Sequence, residues 1–231
     1  MNQKKLTHPI RQIIFDCDGV LVDSEIIASQ TVLSMLRPHG FVMSQAEYSR
    51  LFAGKVEEDM LAIVQDEYRI SLPEDFLSQL RLEIERQLDH ELQPVPGMKE
   101  VLTHLMLPKA IVSNSRLVRV LASLKAAGLS GLFGDEIFAA EMVAHPKPAP
   151  DIYWYAARQL NRSPEECLVV EDSESGVRAA SRAGMTVVGF LGASHLPPNH
   201  QEVAMQAGAW TTVANAQELG ELITEVVAKT P

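Results

Sequence analysis

Two aspartates separated by one residue, Asp16 and Asp18, follow the short apolar run Arg11-Gln12-Ile13-Ile14-Phe15, and Gly19 comes directly after them. A second acidic pair, Glu171 and Asp172, follows a similar run, Cys167–Val170. Four carboxylates brought together repel one another unless a cation is bound or protons are shared. Mg2+ suits such a set, because it takes carboxylate and carbonyl oxygens, keeps several waters and contacts substrate phosphate. Two other segments supply groups of the opposite kind. Ser113-Asn114-Ser115 offers a hydroxyl and the Asn114 backbone amide, and Lys147, in His145-Pro146-Lys147-Pro148, offers an ammonium. These are phosphate-binding groups by type. An Asp-x-Asp-Gly string alone is weak evidence, since average usage yields it in roughly one of 4,000 windows, and a strand-end Asp can merely cap a helix. The combination is what points to phosphoryl chemistry assisted by a divalent cation.

These segments meet only if the fold carries them to one edge. Short β-branched runs at 11–15, 109–112, 167–170 and 186–190, each bounded by polar residues or glycine, read as buried parallel strands. Helical patterns at 97–107, 116–127, 150–160 and 173–183 alternate with them; Gly128 and Gly184 serve as stops for the second and fourth. Ser163-Pro164-Glu165-Glu166 has the cap, proline and third-position glutamate of a helical turn start. Strand–helix alternation implies an α/β fold with a doubly wound, Rossmann-like parallel sheet, in which sites form at the carboxyl ends of strands. All four polar segments fall at such ends, with Lys147 the least directly placed, in a loop leading into a helix.

The stretch from Glu25 to Leu92 differs. It carries helical patterns at 25–37, 44–52, 56–68 and 73–91 and no strand. Four consecutive helices are too many for one crossover, so an all-helical cap over 25–92 is expected, inserted into a core made of 1–24 and 93–231. Gln93-Pro94-Val95-Pro96-Gly97 reads as the hinge back to the sheet.

Composition narrows the partners. The 231 residues are 46% hydrophobic and 22% charged, enough for a sizeable core. The net charge of −10 argues against a nucleic-acid or anionic-membrane partner, both of which favour clustered Lys and Arg. It also means that an anionic substrate must be drawn by local cations. Two cysteines, Cys17 and Cys167, are not a disulfide framework, so a reducing, cytoplasmic setting is expected. MNQKKLTHPIRQ lacks the apolar stretch of a signal peptide, and no run of about 18 apolar residues suggests a membrane span.

The string Phe-Asp-Cys-Asp-Gly-Val-Leu-Val-Asp-Ser-Glu from Phe15 resembles the first signature of the haloacid dehalogenase-like hydrolase superfamily. Val112-Ser113-Asn114 resembles its second motif, Lys147-Pro148-Ala149-Pro150-Asp151 its third, and Val170-Glu171-Asp172-Ser173-Glu174-Ser175-Gly176-Val177 its fourth, in the form of the β-phosphoglucomutase and sugar-phosphatase branch. The likeness spans nearly the whole chain. It implies a Mg2+-dependent phosphatase in which Asp16 is the nucleophile and is transiently phosphorylated. Asp18 would be the acid and base. Ser113, Asn114 and Lys147 would hold the phosphoryl oxygens. Asp16, Asp172 and the Asp18 carbonyl would bind Mg2+, with Glu171 a ligand or a partner of one. Ser113 has a second reading as the cap of the following helix.

The same resemblance separates reactions. Dehalogenases of the family lack the second aspartate, which is present here as Asp18. Phosphonate hydrolysis needs a cap lysine, for which Lys55 is the sole candidate. The mutases carry a His on the first cap helix and an Arg shortly after a cap-loop Gly; here Glu25-Ile26-Ile27-Ala28-Ser29 has no His, and Gly54 is followed by Lys55-Val56-Glu57-Glu58. Both departures favour a phosphatase of a small phosphorylated metabolite, a sugar phosphate or phosphosugar acid, over a phosphosugar mutase or a catalytically idle metabolite-binding member. Arg50 and Lys55, in the cap segment Arg50–Lys55, are the candidates for gripping the leaving group, against a reading as solvated helix-end cations. Cys17 and His145 read as a buried small residue and a loop residue. His195 either orients the site or caps a loop, and the methionines read as core filler.

Overall fold

The computed structural model describes residues 8–52 and 55–228. Strand β1 (Gln12–Phe15) leads into α1 (Ser24–Leu36), α2 (Gln45–Phe52), α3 (Glu57–Glu67) and α4 (Phe76–Glu91). Then follow α5 (Met98–His104), β2 (Lys109–Ser113), α6 (Leu117–Ala126), β3 (Ile137–Ala139), α7 (Asp151–Gln159) and β4 (Cys167–Glu171). The chain closes with α8 (Glu174–Arg182), β5 (Thr186–Phe190), α9 (His200–Ala207), β6 (Thr211–Val213) and α10 (Ala216–Ala228). The six strands form one parallel sheet in the order β3-β2-β1-β4-β5-β6.

The strands are buried on both faces, which is why they read as continuous apolar runs. Ile14, Ala110, Val112, Val169 and Val187 join Ile152 and Tyr153 of α7, Val177 and Ala180 of α8, and Ala204 of α9 in one apolar cluster. The alternate residues, Ile13, Phe15, Ile111, Leu168 and Val170, are equally buried, and Phe15 meets Phe133 edge to face. The expected strands are present. Edge strands β3 and β6 had no expectation, because three residues each leave too little periodicity to read. The turn at 164–166 is a 3-10 turn whose Ser163 hydroxyl and backbone N–H both donate to Glu166.

By contact the chain divides into two compact units, Met1–Asp23 with Gln93–Pro231, and Ser24–Leu92. The second is helical among its described residues and has its own core of Val32, Leu36, Phe41, Phe52, Met60, Val64, Phe76 and Leu80. Met60, Met98 and Met185 are core residues, as expected, whereas Met106 and Met205 are exposed. No helix among the described residues is long and apolar enough to cross a membrane.

Candidate active site

The order of the sheet reverses between β1 and β4: the chain moves outward from β1 through β2 to β3, then crosses to β4 on the other side of β1. A crevice opens at the carboxyl ends of strands at such a point. Phe15 pairs with Val170 and Ile111, so the next residue, Asp16, stands beside Glu171. The Asp16 N–H donates to the Val170 carbonyl at 2.9 Å. Asp16, Glu171 and Asp172 are all buried, and one oxygen from each lies within 4.8 Å of the others.

Lys147 completes the cluster. Its ammonium donates to Asp16 Oδ1 at 2.7 Å, to Glu171 Oε1 at 2.5 Å and to the Val112 carbonyl at 2.9 Å. It is 6% exposed, so it is not a surface lysine. Asn114 fixes its backbone from both sides: Asn114 Nδ2 donates to the Lys147 carbonyl at 3.1 Å, and the Lys147 N–H donates to Asn114 Oδ1 at 3.0 Å. The Asn114 side chain is thereby committed to Lys147.

Glu171 is surrounded by donors. Oε1 accepts from Lys147 and from the Tyr153 hydroxyl at 2.8 Å; Oε2 accepts from the Ser173 hydroxyl at 3.0 Å and its N–H at 3.3 Å. Glu171 is thus already bonded to Lys147, Tyr153 and Ser173 while also belonging to the acidic cluster that could hold a metal ion. Gly176 makes the arrangement possible, since a Cβ there would stand 1.9 Å from Glu171 Oε1. Ser173 also caps α8 by accepting from the Gly176 N–H at 3.1 Å.

Charge in this site is costly. Burial, and next the Glu171 carboxylate, push Asp16 from its ordinary 3.8 up to about 8 against the pull of Lys147. Burial opposes the Lys147 ammonium too, but Asp16 and Glu171 outweigh it and hold the group well above its usual value. Three buried carboxylates against one ammonium leave an excess of negative charge, and their hard oxygens are the donor set of a small divalent cation. Asp16 and Asp172 fit the ligand role.

Asp18 is half-buried and accepts from the Ser115 hydroxyl at 2.8 Å. Ser113, the last residue of β2, is buried, and its Oγ accepts from the Ser115 N–H at 3.0 Å. It does not cap α6, whose cap position is Arg116 and has no side-chain cap. Cys17 is fully buried, and burial followed by the Asp18 and Asp16 charges pushes its thiol up, which suits an inert residue. His145 is exposed and faces Asp151 at 3.0 Å. His195 Nε2 lies 3.5 Å from Asp172 Oδ2.

Arg50 and Lys55 are exposed in the helical unit, and Ala53 and Gly54 between them lie outside the described residues. Sequence reasoning missed Tyr153 and His200. Tyr153 stands two residues beyond Asp151 on a helix whose apolar face reads as core, so only its hydroxyl signalled anything. His200, whose Nε2 meets the Asp172 carbonyl, sits in a segment with no recognised motif.

A family model for haloacid dehalogenase-like hydrolases matches residues 13–190. The chain is 30% identical over 215 residues to a 6-phosphogluconate phosphatase of Escherichia coli strain K12, covering 92% of this chain and 94% of that one. The crystal structure of a HAD family hydrolase from Deinococcus radiodurans R1, with bound phosphate and sodium, superposes with a TM-score of 0.88 at 33% identity, covering 96% of this chain and 99% of that one. A haloacid dehalogenase-like protein of unknown function from Agrobacterium tumefaciens superposes with a TM-score of 0.85 at 38% identity, covering 94% and 98%.

Proposed function

This chain belongs to the haloacid dehalogenase-like hydrolases and is a phosphoric monoester hydrolase, and from that we propose that it is a Mg2+-dependent phosphatase of a small sugar phosphate or phosphosugar acid, acting through a phosphoryl-Asp16 intermediate. The observation that carries this reading is the convergence of Asp16, Lys147 and Asp172 at the switch point between β1 and β4, with Lys147 at 2.7 Å from the Asp16 carboxylate. The similarity to a 6-phosphogluconate phosphatase supports a phosphosugar acid as substrate.

In this mechanism Asp16 attacks phosphorus, forming the Asp16–phosphorus bond as the bond to the ester oxygen breaks. Asp18 gives that oxygen its proton. The Ser115 hydroxyl, bonded to Asp18 Oδ2, holds the acid in place. Asp18 then takes a proton from water as the water attacks phosphorus, which returns Asp16 as a carboxylate and releases inorganic phosphate. Ser113, the Asn114 N–H and Lys147 hold the phosphoryl oxygens. Mg2+, held by Asp16, Asp172 and the Asp18 carbonyl, would neutralise charge on the transferring group. Arg50 and Lys55 are assigned to the leaving group.

The test is a panel of phosphorylated metabolites assayed for phosphate release with Mg2+ and with EDTA. Release from a sugar phosphate or phosphosugar acid that EDTA abolishes supports the reading; undiminished release in excess EDTA defeats it. β-Glucose 1-phosphate with a trace of the bisphosphate belongs in the panel. Conversion to glucose 6-phosphate without matching phosphate release would replace the phosphatase with a mutase.

A further inference from the structure

Asp172 is approached from three other parts of the chain. Gly19, of the loop after β1, faces its carboxylate at a distance that leaves no room for a Cβ. His195 Nε2 stands 3.5 Å from Oδ2. His200 Nε2 makes a short contact with the backbone carbonyl oxygen of Asp172. A carbonyl only accepts, so His200 carries its proton on Nε2 and donates it. His200 is within hydrogen-bonding reach of its acceptor, whereas the 3.5 Å of His195 lies beyond the roughly 2.7–3.2 Å of a well-formed bond from nitrogen.

His200 is itself well anchored. It is the first residue of α9, its N–H donates to the Pro197 carbonyl at 3.0 Å, and it is 9% exposed. Asp172 needs such an anchor. It stands between the last residue of β4 and Ser173, the cap of α8, where the chain leaves the sheet and the carbonyl of Asp172 has passed beyond the strand. A carboxylate presented from a turn is aimed only as well as its backbone is fixed.

We propose that His200 is a positioning residue for the divalent cation: it donates to the Asp172 carbonyl, fixes the turn between β4 and α8, and thereby aims the Asp172 carboxylate toward Asp16. The α9 segment, remote in sequence from all four motifs, is then a working part of the site. This rests on the assignment of Asp172 as a metal ligand made above. Partners that orient a metal ligand commonly carry 10- to 100-fold in metal affinity, by order of magnitude.

The test is calorimetric titration of Mg2+ into the full chain, with no substrate present. Three proteins are compared: wild type, His200→Gln, whose amide Nε2 keeps a donor near the same place, and His200→Phe, which keeps a flat ring without a donor. Expected is a weakening of roughly 10- to 100-fold in His200→Phe and near-wild-type affinity in His200→Gln. Should His200→Phe not fold, His200→Ala takes its place, and added imidazole should restore its affinity for Mg2+. Wild-type affinity in whichever folded variant lacks the donor overturns the inference, as does equal loss in His200→Gln and the non-donor variant. A wild type that neither binds Mg2+ nor releases phosphate would instead defeat the proposed function; a wild type that does both, beside variants of unchanged affinity, defeats the role of His200 alone.

Discussion

A Cβ on Gly19 would stand 1.9 Å from Oδ2 of Asp172. The glycine of the first acidic segment is thus shaped by the aspartate of the last, 153 residues away by their numbers, 172 and 19. Gly19 also has φ of +82°, a left-handed conformation that costs an L-residue about 1–2 kcal/mol. Gly19→Ala should therefore both strain the loop and push Asp172 away from the proposed cation site. Expected is a loss of roughly 100-fold or more in kcat/KM, about 2.7 kcal/mol of barrier, together with a raised Mg2+ requirement. Steady-state kinetics across a Mg2+ series checks this; a variant with wild-type kcat/KM at wild-type Mg2+ would show that Asp172 has slack the geometry denies.

That contact also shows what the sequence could and could not disclose. The strand ends were legible because buried parallel strands are continuous apolar runs, and three of the four polar segments stood at the ends of such runs, Lys147 lying in the loop between β3 and α7. The partners of those segments were not legible. Nothing local tells that Asn114 spends its side chain on the Lys147 backbone, that Glu171 is filled by Lys147, Tyr153 and Ser173, or that Gly176 makes room for Glu171. These are meetings between distant segments, and each residue on its own has an ordinary reading as turn, cap or core. β3 and β6 escaped for a different reason: three-residue edge strands carry almost no pattern.

The raised value of Asp16 makes a statement about stability. Burial and Glu171 take the group from 3.8 to about 8, so between those limits the native state holds a proton that the unfolded chain has released. Stability then falls as pH rises through that window. In EDTA, wild type should lose stability to urea as pH rises from about 4 to about 8. Asp16→Asn, with nothing to ionise there, should lose less. Urea unfolding of both proteins across the window checks the sign; parallel pH profiles would mean that Asp16 ionises without cost.

Lys147 ties Asp16 to Glu171 directly. Removing one member of a buried ionic group leaves the others uncompensated, at a cost of about 3–5 kcal/mol. Lys147→Met should therefore unfold at markedly lower urea concentration. The double variant Lys147→Met with Glu171→Gln should recover part of that loss, because one uncompensated charge is gone. No recovery would mean that Glu171 is not the source of the penalty.

Arg50 and Lys55, both exposed in the helical unit, are expected to discriminate among substrates. Arg50→Ala and Lys55→Ala should lower kcat/KM for the preferred substrate while sparing p-nitrophenyl phosphate, since the phosphoryl group is common to both and the leaving group is not. Loss of one contact to a charged group is worth about 1.5–3 kcal/mol. Equal losses on both substrates would remove Arg50 and Lys55 from leaving-group recognition.

The central claim is that phosphorus passes through the Asp16 carboxylate, and the direct measurement is to trap it there. Asp18→Asn should still accept a phosphoryl group from p-nitrophenyl phosphate, whose leaving group needs little acid help, but should hydrolyse it slowly for want of a base. Acid quenching of that variant during turnover with Mg2+, followed by peptide mass spectrometry, should find a phosphoryl group on Asp16 that hydroxylamine removes, and none when Asp16→Asn is added. Continued release of p-nitrophenol with Asp16 unmodified, or a phosphoryl group carried by any other residue, would contradict the mechanism.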